Sequence, residues 1–125
     1  MHTTLRKSML TAIAALTIIT AVHAQDLGPW SAPVNAGPVV NSNCNDQHPA
    51  LSKDGLTLIF ASNRPITAGG PCVPALHLWV SQRDSLDSPF ETPQPLTTLN
   101  SAYGSSFEDS APNFTTNGHW LFFHS

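Results

Sequence analysis

One stretch of this chain is written twice. His48-Pro49-Ala50-Leu51-Ser52-Lys53-Asp54-Gly55-Leu56-Thr57-Leu58-Ile59-Phe60-Ala61-Ser62 returns in outline 63 positions later as Ala111-Pro112-Asn113-Phe114-Thr115-Thr116-Asn117-Gly118-His119-Trp120-Leu121-Phe122-Phe123-His124-Ser125. Pro49 matches Pro112, Asp54 matches Asn117, Gly55 matches Gly118, Leu58 matches Leu121, Phe60 matches Phe123 and Ser62 matches Ser125. Each copy reads as two short strands joined by a tight turn. Asp54-Gly55 supplies the positive-φ position a tight hairpin needs, and Asn117-Gly118 does the same. A chain that repeats a hairpin at fixed spacing belongs in an architecture where hairpins are equivalent.

The repeat extends upstream of the hairpin. Pro29-Trp30-Ser31-Ala32-Pro33 returns as Pro89-Phe90-Glu91-Thr92-Pro93, and Asn41-Ser42 returns as Asn100-Ser101. The two Asn-Ser pairs read as turn formers. Between the copies, Leu76-His77-Leu78-Trp79-Val80-Ser81-Gln82-Arg83 has the Val, Trp and Leu content of a third strand. Gln94 to Thr98 is a short fourth strand. The first strand is expected over His48 to Ser52 and the second over Thr57 to Ser62. On the second, Leu58 and Phe60 share one face while Ile59 and Ala61 share the other, so both faces should be covered. The third alternates Leu76, Leu78 and Val80 with His77, Trp79 and Ser81, which predicts a strand more exposed on one side. The 11 prolines fit many short segments and oppose long helices.

Residues 1–24 read as a secretory signal peptide. Arg6 and Lys7 precede an apolar run from Met9 to Val22 broken only by Thr, and Val22-His23-Ala24 offers a small-residue cleavage site before Gln25. A spanning helix needs about 20 apolar residues, which makes the run short for a membrane anchor. Cleavage removes Arg6 and Lys7, so Lys+Arg falls from 5 to 3 against 8 acids and the mature chain carries −5. That balance excludes a basic nucleic-acid footprint and a polybasic membrane patch. The chain is expected in the periplasm or outside the cell, without stable membrane insertion once the signal is cleaved.

An oxidising compartment makes Cys44 and Cys72 a disulfide by first reading. The bridge would close a loop of about 29 residues, worth roughly 3–4 kcal/mol through the chain entropy it removes. Free thiols and half a metal site are the alternatives, but no further ligands show zinc-site spacing, so no metal or cofactor is expected.

Hairpin topology returns the loop after the second strand to the rim from which the first strand begins. That rim collects Asp46, His48, Asn63, Arg64 and His77, with Glu108 and Asp109 from the next copy. These are the binding candidates, since loops on a rigid scaffold are where binding residues concentrate. The structural alternative is that Asp46 or Glu108 pairs with Arg64 or caps a turn. Asp46, Glu108 and Asp109 could also supply a carboxylate pair for glycoside chemistry, although any two acids on a rim meet that loosely. Ser52 and Ser62 lack a nucleophile-elbow setting, so no catalytic residue is assigned. Trp30, Trp79 and Phe90 could stack on sugars but read better as packing residues.

About four short antiparallel strands per 60 residues describe a β-propeller blade. The pattern Pro49-x-Leu51-Ser52-x-Asp54-Gly55-x-x-x-Ile59-Phe60-x-Ser62, with Leu78-Trp79-Val80-Ser81, Pro89-Phe90-x-x-Pro93 and Asn100-Ser101 leading to Asp109-x-x-Pro112, resembles the TolB-type, WD-repeat-like propellers of bacterial envelope proteins. The resemblance spans Trp30 to Ser125. It departs at His77, where those proteins usually carry Asp, and mildly at Asn117. It implies a non-catalytic exported module with a protein or cell-envelope partner; the rival is the propeller portion of a secreted glycosidase or peptidase. The expected fold is all-β, a β-propeller fragment over residues 25–125. It holds one four-stranded antiparallel blade, the first hairpin of the next and an N-terminal outer-strand segment. Closed propellers have about 4–8 blades, so the rest of the ring is expected elsewhere.

Overall fold

The structure, a computed structural model, describes residues 29, 31–102 and 106–125. The signal-peptide reading and Trp30 lie outside them. The chain separates into two compact units, Met1–Pro33 and Val34–Ser125. The described residues of the first, 29 and 31–33, are exposed. Everything below concerns the second.

The described part of this unit is all-β. β1 (Asp46–Leu51), β2 (Thr57–Ser62), β3 (His77–Gln82) and β4 (Gln94–Pro95) form an antiparallel sheet in chain order, and β5 (Ser110–Phe114) and β6 (Leu121–His124) form a second, two-stranded sheet. β1 starts two residues earlier than the sequence suggests, because Asp46 pairs opposite Ser62. β4 stops at Pro95, shorter than expected, because the chain turns at once: the amides of Leu99 and Asn100 both reach back to the Leu96 carbonyl, at 3.0 and 2.9 Å.

The two hairpins match in detail. Ser52 N–H donates to the Thr57 carbonyl at 2.8 Å and Gly55 N–H to the Ser52 carbonyl at 2.9 Å. In the second hairpin Thr115 donates to Trp120 at 3.0 Å and Gly118 to Thr115 at 2.8 Å. Four residues therefore lie inside the closing bonded pair of each hairpin, not two, and only the glycine among them is left-handed, with φ 75 at Gly55 and 72 at Gly118. Asp54 Oδ1 accepts the Ser52 hydroxyl at 2.6 Å and the Leu56 amide at 3.1 Å; Asn117 Oδ1 accepts the Thr115 hydroxyl and the His119 amide at the same distances. Only an acceptor oxygen is used, which is why Asn can replace Asp there. His48 and Ala111 both have φ 51, and in both pairs the register slips across that residue. A left-handed non-glycine at matched positions marks a bulge that the fold imposes on two unlike side chains.

β2 is buried on both faces, as its sequence implies. Leu58, Phe60 and Trp79 pack with Val40 and the half-buried Phe90 on one side. Ile59, Ala61 and Leu78 lie on the other, at 6%, 0% and 0% exposure. β3 departs from expectation. His77, Trp79 and Ser81 are buried, and Val80 is the half-buried residue. The predicted open face is closed, with hydrogen-bond partners for its indole and hydroxyl. The Trp79 indole donates to the Ser62 carbonyl at 3.2 Å and the Ser81 hydroxyl to the Glu91 carbonyl at 2.5 Å, while His77 meets Asp109. β5 lies against the first sheet, nearest β1 and β2.

Candidate functional site

Asp46 organises the rim of the first copy. Its Oδ2 accepts the Ser42 amide at 2.6 Å and the Ser42 hydroxyl at 2.8 Å. Its Oδ1 accepts the Ser62 hydroxyl at 2.6 Å and Arg64 Nη2 at 2.7 Å. The same Arg64 nitrogen reaches the Val40 carbonyl at 2.5 Å, and Nη1 reaches the Val39 carbonyl at 3.3 Å. The guanidinium lies over Phe60 and Trp79, 4.8 and 5.5 Å from their ring centroids, where the aromatic faces favour a cation. Burial works against ionisation of Asp46, but donation from Arg64, then Ser62 and Ser42, outweighs it and holds the carboxyl below the ordinary aspartate range.

Asp109 occupies the same place in the second copy. Its Oδ2 accepts the Ser101 amide at 2.6 Å and its Oδ1 the Ser101 hydroxyl at 3.1 Å. Its partner is the His77 ring, whose Nδ1 lies 3.3 Å from Oδ2 with both side chains fully buried. Burial again opposes the charge. Donation from Ser125, the Ser101 amide, His77 and the Ser101 hydroxyl overcomes it, so this carboxyl is also lowered. A carboxylate held ionised in this way is a fastener, not a group poised to carry protons near neutrality.

The remaining candidates separate. Asn63 bridges two segments: its Oδ1 accepts the Asn45 amide at 2.8 Å and its Nδ2 donates to the Val73 carbonyl at 2.9 Å. Those residues neighbour Cys44 and Cys72, which form a disulfide with Cα atoms 5.7 Å apart. His48 sits exposed on the bulge, and Glu108 is exposed beside Asp109. Arg64 pairs with Asp46, one of the two acids the sequence offers for it. Among the described residues, no three His, Cys, Asp or Glu side chains converge as a metal site would require, and no helix is long and apolar enough to cross a membrane.

Ser42, Ser101 and Asn100 read as turn formers in the sequence and do more in the structure. Ser42 and Ser101 cap the two aspartates. Asn100 Oδ1 accepts the Leu78 amide at 2.7 Å and its Nδ2 donates to the Leu78 carbonyl at 2.9 Å. The recurrence of Asn-Ser ahead of an aspartate in both copies was the available signal. Comparison with protein-family models, curated proteins and solved structures finds no match to this chain.

Proposed function

We propose that this chain is an exported, non-catalytic β-propeller module that holds a protein or cell-envelope partner. The carrying observation is the second hairpin: it repeats the first bond for bond and is seated on the first sheet through Asp109, as successive blades would be. The disulfide fits an oxidising compartment. Asp46 and Asp109, two of the three acids offered for a hydrolytic pair, are each engaged by serine and by Arg64 or His77, which supports a structural role for them over a hydrolytic one. Exposed His48 and Glu108 remain on the surface for contact with a partner.

A photo-crosslinking residue placed at 48 or 108, in the chain expressed with its leader, tests this in intact cells. Discrete adducts outside the cytoplasm are expected, on protein that begins at Gln25. Turnover of glycosides or peptides that Glu108→Gln abolishes, without adducts, would replace this reading with the hydrolase alternative.

A further inference from the structure

The two copies of the repeat differ in what lies beside them. In the second, Leu96, Asn100 and Asp109 bond to Leu76 and Leu78, on the side of β3 that also carries β4. Asn100 reads one whole residue there, taking the Leu78 amide and giving a hydrogen to the Leu78 carbonyl. The Asp109 amide donates to the carbonyl two residues upstream of Leu78, that of Leu76, at 2.9 Å. Asp109, Ser110 and Pro112 are buried, with β5 lying against the first sheet.

The corresponding segment of the first copy repeats two hydrogen bonds of the second, although it turns through a left-handed Gly37 (φ 85) where the second has Leu96, and four fewer residues separate its serine from its aspartate. Asn41 N–H donates to the Gly37 carbonyl at 2.9 Å, as Asn100 does to Leu96. Ser42 N–H donates to Asp46 at 2.6 Å, as Ser101 does to Asp109. Yet Asn41 is exposed and its Nδ2 is turned to the side chain of Asn35 at 2.9 Å. Gln47 and Pro49 are exposed where Ser110 and Pro112 are buried. Beside Asn41 opens a cleft of about 80 Å³ whose apolar walls are Val40, Pro49, Leu58 and Phe60, with Asn41, Asp46 and Gln47 as its polar lining.

We propose that this face docks an extended strand from a partner protein, and that Asn41 reads the strand's backbone edge as Asn100 reads Leu78. The occupant presents an open edge with apolar residues at the position read by Asn41 and two residues before it, as Leu78 and Leu76 do. Backbone pairing supplies the affinity, and the apolar cleft selects the side chains. Both readings draw on the internal repeat, but this one needs neither export nor ring closure, so the peptide titration can fail while the crosslinking above succeeds, and the reverse.

The probe is an acetylated, amidated peptide of residues 74–83, titrated into the isotopically labelled chain. The Asn41 side-chain amide and the Asp46 main-chain amide should shift together. Asn41→Ala should weaken binding about tenfold, and so should Asn41→Asp, which cannot donate. N-methylation of the peptide at the leucine corresponding to Leu78 should have a similar effect. Because Asn41 is exposed, both variants should keep the dispersed spectrum of the folded chain. The proposal fails if millimolar peptide leaves Asn41 unmoved, if the N-methyl peptide binds equally well, or if shifts fall on β6 alone. Self-association that Asn41→Ala abolishes would also overturn it, by making the occupant a second copy.

Discussion

Asp46 and Asp109 stand at the same point of two copies of one hairpin, and they fasten different things. Asp46 is closed by Arg64, which follows β2, so the bond ties the first sheet to itself and to its leading segment. Asp109 is closed by His77 at the start of β3, so the bond ties the second sheet to the first. A serine-capped carboxylate is therefore a reusable socket, and the side chain that closes it decides whether it strengthens one sheet or joins two. Their surroundings differ accordingly. The Asp46 side chain is 13% exposed and carries a permanent guanidinium, whereas Asp109 is fully buried against an imidazole.

The contrast can be broken from either side. Arg64→Ala should have the largest effect, since it leaves a mostly buried carboxylate without its cation and uncovers Phe60 and Trp79. A loss of about 3–5 kcal/mol is expected from urea unfolding, with Arg64→Lys falling between the two. Reduction of the disulfide removes a covalent staple that belongs to the first copy. It should cost roughly 3–4 kcal/mol and loosen residues 44–45 and 72–73 before the hairpins, seen as faster amide exchange there.

Asp109→Asn keeps the shape and removes the charge, and it should cost about 1–3 kcal/mol. Its signature is regional: exchange should quicken in β5 and β6 while β2 stays protected. Both aspartates also predict an acid limb. Their folded pKa values lie below the unfolded value, so their contribution is complete above the ordinary aspartate range and is lost as pH falls through the lowered folded values. Asp46→Asn should flatten that limb in a plot of unfolding midpoint against pH. The smallest effect separates the turns. An added Cβ at Gly55 would meet Leu86 Cδ2 at 2.8 Å, whereas at Gly118 it meets nothing within 4 Å. Gly55→Ala should therefore cost about 2 kcal/mol and Gly118→Ala about 1 kcal/mol by thermal unfolding.

Much of this fold is legible in the sequence because hairpins are local. The Asp-Gly and Asn-Gly turns, the apolar run of β2 and the cysteine pair each signal through neighbouring residues or composition. The bulges are not legible, since His48 and Ala111 share a conformation but no chemistry. Nor is the burial of β3: His77 and Ser81 look like solvent-facing residues until Asp109 and the Glu91 carbonyl arrive from 32 and 10 positions away. The site follows the same rule. Asp46 with Arg64 could be anticipated from the rim topology. The reading of Leu78 by Asn100 could not, because a side chain that imitates a strand has no periodicity to reveal it.

Amide exchange at Leu78 tests the relation between the copies most directly. If the second copy is fastened along the edge of β3, Asn100→Ala should speed exchange of the Leu78 amide and of the neighbouring Asp109 amide, with Phe60 in β2 unchanged. Unaltered protection at Leu78 in that variant would contradict the account.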